Sequence, residues 1–350
     1  MTSREKVRRI FERESDGAAA LWTGHFNEKT IPIFMKAYGV SRDGGHNGKS
    51  AVSTDAEALQ EYLRDDCRWF GADRCYKHPD GLPMLDPSFG IDRANSLSAP
   101  GCFANAETVA DIEKYPWPDP KYLRFDELNQ QLERVPDKMV FTGLSCGFFH
   151  NMCDFFGMEE YFVNMHLNPK VIEAATEHFV EFYVQANELC LQSVGDRADA
   201  IFMSNDFGTQ RDLFISPELF RRFVLPGFKR IAQLGKKYGK FVILHSCGSI
   251  YRIIPDLIDV GVDVLHPIQA QAAGMSADNL AQFKKDIAFL GGIDAQSFFV
   301  NATPDEIKNE VYRVRKVLGP NIVISPSHEE ILPNIPPENF KAMAEAALTL

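Results

Sequence analysis

The residues able to do chemistry in this chain collect at the ends of short apolar runs. His245-Ser246-Cys247-Gly248 closes and follows the run Phe241–His245. Side chains two apart on an extended segment face the same side, so His245 and Cys247 can reach one point. Gly248 lets the backbone turn away behind them without a Cβ clash. Imidazole with thiolate is a borderline-soft pair that suits Zn²⁺, which takes N and S donors tetrahedrally. A third protein ligand with an open fourth position makes such a site catalytic. His328, in Ser327-His328-Glu329-Glu330 after the run Ile322–Ser325, is the expected third ligand, with Asp206 and Glu329 as alternatives. Other strand ends offer Cys146 after Met139–Leu144, Asn205-Asp206 after Ala200–Ser204, His266 closing Val262–His266, and Asp294 after Gly291-Gly292. Asp206 and His328 are expected to take part in the reaction. Asn205, Asp294, Cys146 and His266 are expected to line the substrate, His266 as a polar rim residue rather than a ligand.

The elements that position these residues follow a rhythm from Lys138 onward. The six runs Met139–Leu144, Ala200–Ser204, Phe241–His245, Val262–His266, Ile287–Gly292 and Ile322–Ser325 read as buried parallel strands. Between them lie helical stretches, the clearest being Pro169–Val194, Pro217–Tyr238, Ile250–Val260 and Pro304–Leu318. Strand, helix, strand at this spacing signals βαβ units. Ala18–Thr23 and Cys67–Gly71 bring the strand count to eight, which predicts a (β/α)₈ TIM barrel, with its active site at the strand C-termini. The chain is expected to form one domain over 1–350, irregular over 1–135 and regular over 136–350. In the first part, helices are expected at Met1–Glu14, Glu28–Tyr38 and Lys121–Arg134. Another should start at Thr54, with Glu57 completing a capping box, and run to about Leu63. The polar, Gly-rich 41–50 reads as a flexible loop or lid, and 77–102 as a long excursion. Both are expected to shape the pocket. Phe148, Phe149, Phe155 and Phe156 read first as core, as do the cysteines other than Cys247.

Composition narrows the function. The 350 residues carry 37 Lys+Arg against 48 Asp+Glu, a net charge of −11. No Lys/Arg run exceeds two, which argues against nucleic acid and against an anionic membrane surface. No apolar stretch is long enough for a membrane span, and MTSREKVRRIFERESDG lacks the apolar centre of a signal peptide. Seven cysteines without a CxxC pair fit a reduced, cytoplasmic enzyme. No GxGxxG follows any strand, which weakens a dinucleotide-binding reading.

The phrases IEKYPWPDP, DFGTQRDLFISPELFRRFVLPGFKRI, LHSCGSI, GGIDAQ and SPSHEEILPNIPPENFKAM, from about Glu107 to the C-terminus, resemble the uroporphyrinogen decarboxylase superfamily. The resemblance implies a single (β/α)₈ barrel. Its decarboxylase branch holds porphyrinogen carboxylates with arginines of an RQAGRY-type motif. The corresponding region here reads GHFNEKTIPIF, without arginine, and Cys153-Asp154 stands where that branch has a tyrosine. His328 does match the branch's GHGILP-type histidine.

The zinc-dependent methyltransferase branch holds its metal with HxC and the cysteine of a PGC motif. His245 and Cys247 match the first, and Pro326-Ser327-His328 replaces the second. On this resemblance the expected activity moves a methyl group between a small-molecule donor or acceptor and a corrinoid on a separate partner protein, since the chain has no DxHxxG corrinoid motif. Zinc would activate a thiol or an ether oxygen. Decarboxylation of a porphyrinogen or another carboxylate is the alternative. A homodimer is left open.

Overall fold

The computed structural model describes residues 1–41, 54–96 and 98–349. The lid expected at 41–50 lies, from residue 42 on, outside the described residues. Seven strands form one wholly parallel, curled sheet in sequential order. They are β2 (Cys67–Gly71), β3 (Met139–Gly143), β4 (Ala200–Ser204), β5 (Phe241–His245), β6 (Val264–His266), β7 (Ala288–Ile293) and β8 (Ile322–Pro326). Two short strands, β1 (His25–Phe26) and β9 (Glu330–Ile331), pair separately and in parallel.

Each strand-to-strand return runs through helical structure, as buried apolar runs alternating with amphipathic stretches require. Pro169–Val194 is one helix with Pro at its first position. The expected helix Pro217–Tyr238 is instead broken into Pro217–Leu219, a π turn Phe220–Val224, and Leu225–Lys237. Pro226 has no N–H for the helical ladder, and the widened turn falls just before it. Ile250–Val260 likewise splits into Tyr251–Ile253 and Ile254–Asp259, and the expected helix at Lys121–Arg134 shortens to Asp126–Glu133. At Thr54, the hydroxyl accepts from the Glu57 N–H, one half of the expected box.

The eighth expected strand, Ala18–Thr23, corrects to a single parallel bridge, Leu21 with Ile324. On the β8 side the pattern is strand-like: Trp22 N–H donates to Ile324 O (2.9 Å) and Ile324 N–H to Ala20 O (3.0 Å). On the β2 side one backbone bond remains, Asp66 N–H to Leu21 O (3.0 Å), and side-chain carboxylates take the donors of the segment. Leu21 N–H donates to Asp66 Oδ2 (3.0 Å) and Thr23 N–H to Asp65 Oδ2 (3.1 Å). Short acidic side chains competing for backbone donors prevent a regular strand. The fold is therefore a seven-stranded curled parallel sheet whose edges are spanned by this segment.

Inside the curl, alternate residues pack inward: Cys67, Met139, Phe141, Ala200, Phe202, Ala288, Leu290 and Val323, with Trp22. The helix Ser3–Phe11 adds Val7, Ile10 and Phe11 to this inner core. It is pinned where strands begin, Arg4 to Asp199 (2.8 Å), Arg8 to Asp199 (3.0 Å) and Lys6 to Asp66 (2.7 Å). That closes the N-terminal end of the sheet and leaves the C-terminal end for the site. The four phenylalanines 148, 149, 155 and 156 belong to the outer core, between sheet and helices.

Candidate metal centre

The site is built from the C-terminal ends of β4, β5, β6 and β8. His245 is the last residue of β5 and is almost wholly buried. Cys247 follows two residues later, and its Sγ lies 3.6 Å from His245 Nε2. Gly248 holds φ +81°, and a Cβ there would strike the Gly208 carbonyl, so the turn needs glycine. Its N–H donates to Gln269 Oε1 (2.6 Å), fixing the turn further.

Asp206, two residues beyond β4, meets this pair. Its Oδ1 accepts the Cys247 N–H (2.7 Å) and lies 3.4 Å from His245 Nε2. The ligand atoms of Asp206, His245 and Cys247 all lie within 4.8 Å of one another. Tetrahedral zinc with ordinary bond lengths separates an N and an S donor by about 3.6 Å and an N and an O donor by about 3.4 Å. The observed spacings match, so these residues fit the metal that the sequence suggests.

His328 and Glu329 sit in the turn between β8 and β9. With Cys247 they form a second close group, again with ligand atoms within 4.8 Å. Glu329 Oε2 is 3.5 Å from His245 Nδ1 and 3.9 Å from His328 Nδ1. The turn is held by the β1–β9 pairing, where His25 faces Glu330. Gly24, at φ +75°, passes so close that a Cβ would meet the Glu329 carbonyl.

His266, at the end of β6, lies behind His245 with Nδ1 to Nδ1 at 3.0 Å and is completely buried. Burial, then the charges of the surrounding histidines, push its pKa well down, so it stays neutral. His245 behaves oppositely. Burial alone would lower it, yet the bond to Asp206, the Cys247 contact and the Glu329 charge raise it well above its ordinary value. Asp206 is pushed up by burial but held at about 2 by His245, the Cys247 N–H and His150. Burial raises the Cys247 thiol, against the lowering effect of His245. Without metal the centre is thus an imidazolium between carboxylates, beside a neutral thiol.

Three residues expected to line the substrate make hydrogen bonds within the fold. Asn205 is fully buried, accepting from the Phe149 N–H (3.0 Å) and donating to Cys146 O (2.8 Å). Cys146 is buried between Leu144 O and Asn187. Asp294 accepts from the N–H groups of Gln296, Ser297 and Phe298 and from the Ser297 hydroxyl, capping the helix Phe298–Asn301. Sequence reasoning missed His150, whose Nε2 is 3.7 Å from Asp206 Oδ2. It stands on the helix Phe148–Phe156 just past β3, so a search one helical turn beyond each strand end would have found it. The same search finds Asp73, after β2, whose carboxylate accepts from the Ser145 hydroxyl (2.9 Å).

Residues 95–350 match the sequence model of the family described as uroporphyrinogen decarboxylase (URO-D). The chain belongs to that family. No curated protein sequence matches it. Among solved structures, a methyltransferase from Methanosarcina mazei superposes with a TM-score of 0.71 at 19% identity, over 99% of this chain and 98% of that one. At that identity the likeness establishes a shared fold. A structure from Listeria monocytogenes, assigned to the vitamin-B12-independent methionine synthases, aligns over 94% of this chain and 98% of its own at 10% identity and a TM-score of 0.47. Among the described residues of this URO-D family member, no helix is long and apolar enough to cross a membrane.

Proposed function

We propose that this protein is a zinc-dependent methyltransferase or O-demethylase, moving a methyl group between a small molecule and a corrinoid held by a separate protein. The observation that carries the reading is the approach of Cys247 Sγ (3.6 Å) and Asp206 Oδ1 (3.4 Å) to His245 Nε2, the spacings of such pairs on tetrahedral zinc, with all three ligand atoms within 4.8 Å of one another. The donors sit at the C-terminal ends of a curled parallel sheet, where such folds place their chemistry. We read that sheet as a (β/α)₈ barrel with its first strand reduced to one bridge.

Each residue has a definable task. His245 and Cys247 supply the nitrogen and sulfur ligands. Asp206 is the third ligand in this arrangement, and His328, on Cys247 through the second group, is the other candidate. The Cys247 N–H holds one oxygen of Asp206 in place, while the buried ring of His266 backs His245 and fixes its plane. Zinc bound there supplies Lewis acidity toward a thiol or an ether oxygen. Cysteine thiolate, imidazole and carboxylate leave an open position for that group, and the side chains of Asp206, Glu329 and His328 are partly exposed.

Decarboxylation is the weaker reading on this geometry. A multiply charged carboxylate substrate would approach Asp206 and Glu329, both acidic, where a cation is better accommodated. The reaction is expected in the cytoplasm, with the corrinoid protein docking over the strand C-termini.

Metal content of purified wild type and His245→Ala tests the proposal. About one tightly held zinc per chain in wild type, lost in His245→Ala, is the expected result. No metal in either protein, after expression with zinc supplied, refutes it.

A further inference from the structure

We propose that the small molecule taken by this site is an aromatic methyl ether carrying a second oxygen on its ring, in its simplest form a methoxyphenol. The inference rests on the zinc reading above and names the substrate class for it. Five aromatic side chains form a closed circuit of ring contacts beside the metal set. Trp22 meets His25 (6.4 Å between centroids), His25 meets Trp69 (4.4 Å) and Trp69 meets Phe202 (5.3 Å). Phe202 meets His266 (5.6 Å), and His266 returns to Trp22 (4.9 Å). The circuit adjoins the metal set, since the His245 ring lies 5.0 Å from His266 and 6.2 Å from Phe202. Trp22, Phe202 and His266 are buried, whereas His25 and Trp69 are partly exposed, so solvent reaches the circuit on their side. Rings arranged in this way receive a flat aromatic ligand better than an aliphatic one of the same size.

The polar atoms of the circuit are a second, independent sign of a ligand. His25 Nε2, Trp69 Nε1 and His266 Nε2 are shielded from solvent and have no hydrogen-bond partner among the described residues. A buried tryptophan N–H ordinarily finds an acceptor, and leaving it unpaired is costly. His266 is wholly buried, with its Nδ1 3.0 Å from His245 Nδ1. With zinc on His245 Nε2, His245 Nδ1–H donates to His266 Nδ1, which leaves the His266 proton on the unpaired Nε2. Trp69 Nε1 can only donate, whereas His25 Nε2 donates or accepts according to tautomer. A ring hydroxyl suits both, accepting from Trp69 and donating to His25. Trp69 is on β2 and His245 on β5, three places apart in the sheet, and Phe202 packs against both. A ligand reaching from the metal to Trp69 thus carries its two oxygens well apart, as a para-substituted ring does.

An uncharged oxygen suits this place better than a carboxylate. Asp206 and Glu329 stand at the metal set, and the charges of Glu329 and Glu330 bear on His25, so an anionic group would meet like charge. Transfer breaks the O–CH3 bond. The methyl passes to the cobalt of the corrinoid protein, which supplies the bonding electron pair, while the ring oxygen keeps the pair of the broken bond and takes up a proton as the phenol.

Calorimetric titration of the zinc-loaded full chain with 4-methoxyphenol, methoxybenzene and cyclohexyl methyl ether tests this. We expect 4-methoxyphenol to bind about 10-fold more tightly than methoxybenzene. Methoxybenzene should in turn bind about 5-fold more tightly than cyclohexyl methyl ether. Trp69→Phe keeps a ring and removes the N–H, so it should erase the first preference and retain the second. His25→Phe, which removes the other partner of the hydroxyl, should shrink the first preference as well and serves alone if Trp69→Phe does not fold. Equal binding of 4-methoxyphenol and methoxybenzene by wild type, or a preference that survives in both variants, overturns the hydroxyl site. Equal binding of methoxybenzene and cyclohexyl methyl ether overturns the aromatic class. Either failure in protein that holds its zinc leaves the zinc reading standing. Both preferences kept, with no loss of affinity after zinc is stripped, support the aromatic site and defeat the contact between ether and zinc.

Discussion

Zinc binding at the inner site should release two protons. In the metal-free protein His245 is protonated at neutral pH, because Asp206, Cys247 and Glu329 outweigh the burial that would lower it. Cys247 keeps its proton, because burial raises the thiol above its ordinary value. Asp206, held at about 2, has none to give. Zinc takes neutral imidazole and thiolate, so one proton leaves each of His245 and Cys247. Protons are bound only in the metal-free state, hence affinity must rise with pH. Between Asp206's value and those of the other two, each pH unit changes affinity about 100-fold, or about 2.7 kcal/mol. Calorimetry at pH 7 in buffers of different ionisation enthalpy counts the protons directly, and chelator competition at several pH values gives the slope. Asp206→Asn removes the main partner that raises His245, so its count should fall from two toward one. A wild-type count near zero would refute the imidazole–thiolate site. A count of one in wild type would show that Asp206 and Glu329 do not hold His245 charged.

Three further outcomes test the scaffold. Gly248→Ala forces a Cβ into the Gly208 carbonyl at φ +81°, so we expect at least about 1–2 kcal/mol of destabilisation and loss of bound metal, read by thermal unfolding and metal analysis. Asp199→Ala orphans the Val140 N–H (3.1 Å) and frees Arg4 and Arg8 from the end of the sheet. Because both arginines are partly exposed and can rehydrate, about 2–4 kcal/mol is the expected loss in urea unfolding. Burial raises the Asp294 carboxyl, but the Phe298, Gln296 and Ser297 donors outweigh it and hold it below the usual carboxylate range. Its stabilisation is therefore full above the unfolded value of about 3.9 and is lost as pH falls through the lower folded one. Asp294→Ala should cost about 1 kcal/mol at pH 7 and progressively less in acid. An equal cost at every pH would contradict the capping role.

The sequence by itself determined the βα rhythm, most strand positions and the pairing of His245 with Cys247. Those features are local: apolar runs that fill a sheet buried on both faces, and an i,i+2 spacing that puts two side chains on one side of an extended segment. Cys67–Gly71, Ala200–Ser204 and Phe241–His245 were legible to the residue for that reason. Only the tertiary structure decided which distant donors complete the site. Asp206 reaches His245 Nε2 because β4 and β5 pair with Ser204 beside His245, a register that no local pattern encodes. Asn205, Cys146 and Asp294 also stand at strand ends, and only the fold shows that their polar atoms bond nearby backbone N–H and C=O groups. In the first strand, likewise, the carboxylates of Asp65 and Asp66 take the Thr23 and Leu21 N–H groups, and a single bridge remains. Residue type and spacing mark a polar side chain as capable of chemistry. Whether it is free for chemistry depends on which unpaired backbone groups the folded chain brings beside it, because a buried donor or acceptor must be satisfied before a ligand can be.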